Sequence, residues 1–123
     1  MFLDTSAVIE LFLGTERGSK VLEFIKGEDI FISILTYAET AVWCKRNKKD
    51  FELWKEKIEE IANIVELTPE ICYNAAEITF RTKQNEKTFG IIDGIILASA
   101  RSVNQKLISK DKHFRNFEDC IVI

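Results

Sequence analysis

Proline occurs once in the 123 residues, histidine once and glycine five times. So sparse a supply of turn-formers excludes a Pro-rich linker or a Gly/Ser low-complexity tract. Cysteine occurs three times, as Cys44, Cys72 and Cys120. An odd number at wide spacing supports neither a disulfide framework nor a Cys-x-x-Cys zinc site, and it fits a reducing cytoplasm. Long apolar runs are also missing. Ile95-Ile96-Leu97-Ala98 is far too short to span a bilayer, and Met1-Phe2-Leu3 meets Asp4 with no basic segment before it, so a cytoplasmic protein with no membrane segment is expected. Basic excess is absent too: 17 Lys and Arg stand against 20 Asp and Glu, a net charge of -3. Bulk charge therefore cannot hold a polyanion, and any such ligand must be met locally. The single histidine removes every mechanism that needs two imidazoles from one chain. A nucleophilic triad of His113 with Ser109 and Asp111 is disfavoured, because residues this close on one loop rarely reach the required geometry.

What remains is a globular composition, 46% hydrophobic and 30% charged. A chain of this length buries about two-thirds of its extended surface around one core, so one domain over residues 1–123 is expected. Short apolar runs alternate with helical patterns. Met1 to Leu3, Ile30 to Ser33, Ile64 to Leu67, Leu107 to Ser109 and Cys120 to Ile123 read as five strands. Helices are expected over Ala7–Leu13, from Thr15-Glu16 to a stop at Gly27, Leu35–Asn47, Asp50–Ala62, from Thr68-Pro69-Glu70 to about Gln84, and Ile91–Asn104. In the third of these Leu35, Ala38, Val42 and Trp43 form the apolar stripe, and in the fourth Phe51, Trp54, Ile58 and Ile61 do. The two make a hairpin-like arm with Lys45, Arg46, Lys48 and Lys49 at its turn. The alternation predicts an α/β fold: a mainly parallel sheet of about five short strands with helices on both faces.

Four acids stand where a purely structural residue is unexpected. Asp4 and Asp111 follow short apolar strands, and sites in open parallel sheets form at the carboxyl ends of strands. Their bland role is a helix cap or a turn residue. Glu39 has Leu35, Val42 and Trp43 as surface neighbours on its helix, and Asp93 is bracketed by Phe89, Gly90, Ile96 and Leu97. A carboxylate facing inward costs several kcal/mol unless paired, hydrogen-bonded or bound to a metal, so an ion pair with Arg81, Arg101 or Lys110 is the competing explanation. Together the four would form a negative pocket that needs a cation. Oxygen ligands without cysteine or a second histidine select Mg²⁺ or Mn²⁺ rather than zinc. Such ions activate water and neutralise charge on a phosphodiester, which implies phosphoester hydrolysis. Without metal, the same crowding predicts that neutralising one acid, Asp93 in the first instance, stabilises the fold.

The segments Met1-Phe2-Leu3-Asp4-Thr5-Ser6, Ile34-Leu35-Thr36-Tyr37-Ala38-Glu39, Ile92-Asp93-Gly94-Ile95-Ile96-Leu97-Ala98 and Leu107-Ile108-Ser109-Lys110-Asp111-Lys112-His113 resemble, in order and spacing, the motifs of PIN-domain ribonucleases. The resemblance runs over the whole chain, and within the family the short chain resembles a VapC-type toxin of a toxin–antitoxin pair. It implies a PIN-like three-layer fold and a Mg²⁺- or Mn²⁺-dependent endoribonuclease. Asp4, Glu39, Asp93 and Asp111 take the catalytic and metal-binding positions, and Thr5, Ser6, Ser109 and His113 the supporting ones. It also implies an RNA substrate, an antitoxin partner and a homodimer. Two residues depart from the family pattern. Gly94 stands where Ala is usual, which costs only helix propensity as far as the sequence tells. His113 stands where another Asp is common.

An Asp-x-Asp phosphatase is disfavoured because Ser6 stands two residues after Asp4, and a phosphoreceiver domain because the third strand ends in Thr68-Pro69. A housekeeping RNA-processing nuclease and a non-catalytic PIN-like binding module remain as alternatives. Lys110, Lys112 and Arg115 near the last acid are candidate phosphate contacts, as are Lys45 to Lys49 on the arm. Trp43, Phe51 and Trp54 are expected in the core or, if exposed, at a partner surface.

Overall fold

The computed structural model describes residues 1–123. Five strands form one sheet: β1 (Phe2–Leu3), β2 (Ile30–Ser33), β3 (Ala62–Val65), β4 (Leu107–Ser109) and β5 (Cys120–Val122). Their order is β3-β2-β1-β4-β5, and every pairing is parallel. Six helices connect and cover them: α1 (Thr5–Leu13), α2 (Glu16–Ile25), α3 (Ile34–Arg46), α4 (Phe51–Ile61), α5 (Pro69–Thr82) and α6 (Ile91–Ser102). None is long and apolar enough to cross a membrane.

Alternation along the two-residue strand β1 fixes both layers. Phe2 lies level with Phe31 and Leu107, and Leu3 with Ile32 and Ile108. On one face Leu3, Ile32 and Ile108 pack against Ala7 and Val8 of α1, Val21 and Ile25 of α2, and Ile58 of α4. On the other, Phe2 and Leu107 meet Ile96, Leu97 and Ala100 of α6, together with Phe89 and Phe114. Helix α5 lies outside α6, with Ile71 and Ala75 against Ala98. Truncating a wholly buried ring such as Phe2 should cost about 3–5 kcal/mol.

Three local expectations are corrected by the structure. The third strand starts and ends two residues earlier than its apolar run suggests, because pairing with β2 sets Ile30 against Ala62 and Ser33 against Val65. Glu66 and Leu67 are left exposed ahead of the Thr68 cap. Helix α3 buries Thr36, Thr40 and Cys44, while of the expected stripe Ala38 and Val42 are exposed and Leu35 and Trp43 half-buried. Small β-branched threonines fit where α3 lies against α1, α4 and β2, so hydrophobicity did not identify the inward side. Trp43 still stacks on the buried Trp54 of α4 at 5.1 Å, which closes the arm, and Phe51 is half-buried. Gly94 is a steric requirement and not merely a poor helix former. A Cβ there would lie 2.7 Å from the Ala75 carbonyl oxygen and collide with Thr79 Oγ1, so its absence lets α5 and α6 approach.

Candidate active site

Strand β1 is central and short, so the chain leaves the sheet at Asp4, beside the ends of β2 and β4. Asp4 then caps α1. Its Oδ1 accepts from Ala7 N–H at 2.8 Å and from the Ser6 hydroxyl at 2.7 Å, and its Oδ2 accepts from the Ser109 hydroxyl at 2.5 Å. The two serines are themselves fixed, since Ser6 Oγ accepts from Lys110 N–H at 2.8 Å and Ser109 Oγ from Asp111 N–H at 2.9 Å. The loop after β4 is thereby tied to the start of α1. Asp4 is only 8% exposed. Burial outweighs these hydrogen bonds, Glu39 adds repulsion, and the carboxyl is pushed up to about 6.

The other three acids reach the same place from different elements. Glu39, one turn or more into α3, takes the Thr5 hydroxyl on its Oε1 at 2.7 Å. Asp93 lies in the first turn of α6, where Gly90 N–H donates to its Oδ2 at 2.9 Å. Asp111 caps the short 3₁₀ turn Lys112–Phe114 and accepts from His113 N–H at 2.9 Å. Asp4, Thr5, Ser6, Ile9, Glu39, Asp93 and Asp111 line one cleft of about 250 Å³. A larger cavity, about 760 Å³, opens between α5 and α6 around Val65 and Arg101, away from these acids. Size does not make it a site, because none of the four strand-end and helix-start acids reaches it.

The ion-pair explanation for Glu39 and Asp93 is not what the structure contains. Arg81 pairs with Glu77, Arg101 with Asp119, and Lys110 with Glu10. Glu39 is exposed, as is its neighbour Val42, while Leu35 and Trp43 are half-buried. Asp93 is partly buried and draws on the α6 N-terminus, where negative charge is favoured, through the Gly90 N–H, with His113 Nδ1 3.1 Å away. Asp4 is the acid whose burial disfavours its charged form, so the stabilisation expected on neutralising an acid is assigned to Asp4 rather than to Asp93.

His113 joins Asp93 and Asp111 in a group whose ligand atoms all lie within 4.8 Å of one another. The three basic candidates are all exposed; Lys110 donates to Glu10 at 2.7 Å, Arg115 lies 3.9 Å from Glu86, and Lys112 is in no ion pair. Glu10 was not anticipated. It is buried, holds Lys110 and the Thr15 hydroxyl, and keeps its carboxyl below the usual range chiefly through the Lys110 hydrogen bond. A lone acid within the apolar run Ala7–Leu13 was the signal for it.

The cleft is lined by four carboxylates and by no lysine or arginine. Against known proteins, the model of the PIN domain family matches residues 1–119. The chain is similar to the toxin–antitoxin complex from Klebsiella pneumoniae, at 22% identity and a TM-score of 0.76 over 98% of this chain and 95% of that one. It is similar to VapBC2 from Rickettsia felis bound to a promoter DNA fragment, at 20% identity and 0.73 over 99% and 96%. A third likeness is to VapC20 of Mycobacterium tuberculosis, a Sarcin-Ricin loop cleaving toxin, at 18% identity and 0.69 over 93% and 92%. No sequence among the curated proteins matches the chain.

Proposed function

The chain belongs to the PIN domain family, and from that premise we propose that it is a divalent-metal-dependent endoribonuclease and the toxin of a toxin–antitoxin pair. The observation that carries this reading is the single cleft lined by Asp4, Glu39, Asp93 and Asp111 with no basic residue among them. The donor set fits Mg²⁺ or Mn²⁺, since hard carboxylate oxygens surround the cleft and no cysteine does. Asp4, Glu39, Asp93 and Asp111 are the residues that would hold the ion. When bound, such an ion activates water and offsets the charge that builds on a phosphodiester.

The rest of the work falls to the chain itself. Ser6, Ser109 and the Ala7 amide fix both oxygens of Asp4, so that carboxylate needs no rearrangement when substrate arrives. Thr5 orients Glu39, and the Gly90 amide orients Asp93. Lys112, next to Asp111, is exposed and in no ion pair, and is assigned the flanking RNA phosphate. Lys110 and Arg115 would reach phosphates only by leaving Glu10 and Glu86, so Lys110 serves first to tie the β4 loop to α1.

A toxin needs a partner, and the Klebsiella and Rickettsia proteins, which share this fold, are seen in complexes of that kind. A homodimer is supported by apolar side chains left open on α5, where Tyr73 is 67% and Phe80 70% exposed. The test is cleavage of a structured RNA by the purified protein with Mg²⁺ or Mn²⁺. Chelator, Asp4→Asn and Asp93→Asn should each abolish it, while Glu66→Gln, on the exposed exit of β3, leaves it intact. Undiminished cleavage in chelator, or in both aspartate variants, would refute the assignment.

A further inference from the structure

His113 is bonded at both ring nitrogens, and its partners determine which one carries the proton. On the outer side Nε2 lies 2.9 Å from Thr88 Oγ1. That hydroxyl has a single proton, which it donates to Glu86 Oε1 at 2.9 Å. It therefore turns a lone pair toward the ring, and Nε2 is the N–H donor. In the neutral imidazole Nδ1 is then left with its lone pair, directed into the cleft. It meets Asp93 Oδ2 at 3.1 Å and Asp111 Oδ2 at 3.4 Å.

Three electron-rich atoms thus converge with nothing between them to offset their repulsion, unless a cation occupies the gap. The arrangement is pre-organised. The Gly90 amide holds Asp93 Oδ2, and Asp111 Oδ1 takes the His113 amide so that ring and carboxylate share one side. Phe89 packs beside the ring, with centroids 6.1 Å apart. An outer hydrogen bond that fixes the tautomer of a ligating histidine is a recurrent feature of metal centres.

We infer that His113 Nδ1 is a metal ligand, making the Asp93–Asp111 side of the cleft a mixed nitrogen and oxygen site that prefers Mn²⁺ and Co²⁺ to Mg²⁺. The inference rests on the four-acid metal reading and adds to it a ligand and a selectivity. An all-carboxylate set suits Mg²⁺, whereas one imidazole nitrogen shifts preference along the order Mg²⁺, Mn²⁺, Co²⁺. Thr88 and Glu86 act through the ring and are positioning residues.

The chain contains one histidine, so any histidine nitrogen coupled to a bound ion is His113. The experiment is pulsed electron paramagnetic resonance of Mn²⁺ added to the full-length protein, prepared once unlabelled and once with ¹⁵N-histidine. The expected result is a ¹⁴N modulation that is replaced by a ¹⁵N pattern in the labelled sample and is missing in His113→Asn. Titration calorimetry should show the Mn²⁺ over Mg²⁺ preference narrowing by about tenfold in His113→Asp, and Mn²⁺ affinity falling about tenfold in Thr88→Val. Mn²⁺ bound without nitrogen coupling overturns the inference and leaves the four-acid reading standing. No Mn²⁺ bound at all defeats both, and an unchanged affinity in Thr88→Val overturns the tautomer argument.

Discussion

Asp4→Asn separates the stability of the metal-free fold from the demands of its cleft. Burial raises the Asp4 carboxyl from 3.8 to about 6, so the folded chain holds this proton more tightly than the unfolded chain does. The resulting stabilisation is fully present below the unfolded value near 4 and is lost as pH rises through about 6. A rise of this size corresponds to roughly 3 kcal/mol over the whole window, of which about 1.4 kcal/mol lies between pH 5 and pH 7.5. Asparagine does not titrate, so the variant lacks this dependence while every other group is shared. For a domain of this size that difference is about 5 °C in Tm. Melting both proteins in chelator at the two pH values should show the variant gaining on the parent by that amount at pH 7.5. Saturating Mn²⁺ should restore the parent, because a ligand bound only by the folded state stabilises it. A stability difference that stays flat across the two pH values, or shifts in the parent's favour, would mean that folding does not raise the Asp4 carboxyl.

Gly94→Ala should destabilise the protein by about 1 kcal/mol in urea melts, because overpacking of about 2 kcal/mol against Ala75 and Thr79 exceeds the helix-propensity gain of about 1 kcal/mol. An equal or more stable variant would mean that α5 and α6 can separate freely. Lys110→Met leaves Glu10, its side chain 10% exposed, without its cation, and should cost about 1–2 kcal/mol after discounting for the exposure of Lys110. Since the Glu10 carboxyl is lowered, this contribution is present at neutral pH and lost on acidification through its folded pKa, so parent and variant should converge in acid.

The parts of the fold legible in the sequence are those set by local pattern. The strand runs around Leu3, Ile32 and Ile108 identified the sheet, and Asp4 and Asp111 were identifiable because each follows an apolar strand. What was not legible depends on partners distant in the chain. The boundary of β3 is fixed by pairing with β2, not by its own apolar residues. The inward side of α3 is chosen by where threonines fit, so Glu39 reaches the cleft from an exposed face and not, as its neighbours suggested, from a buried one. Glu10 and Lys110 meet across 100 positions, and the need for Gly94 exists only once α5 lies against α6.

If this acidic cleft holds a divalent ion and hydrolyses RNA, the chemistry of the product ends records it. Water attacking the phosphodiester leaves the neighbouring 2′-hydroxyl untouched, whereas the paired-imidazole route, for which one chain with a single histidine has no second ring, proceeds through that hydroxyl. End-group analysis of an RNA cut by the purified protein in Mn²⁺ should therefore find no 2′,3′-cyclic phosphate and no products with Asp4→Asn. Cyclic phosphate ends, or cleavage that persists in the variant, would contradict the account.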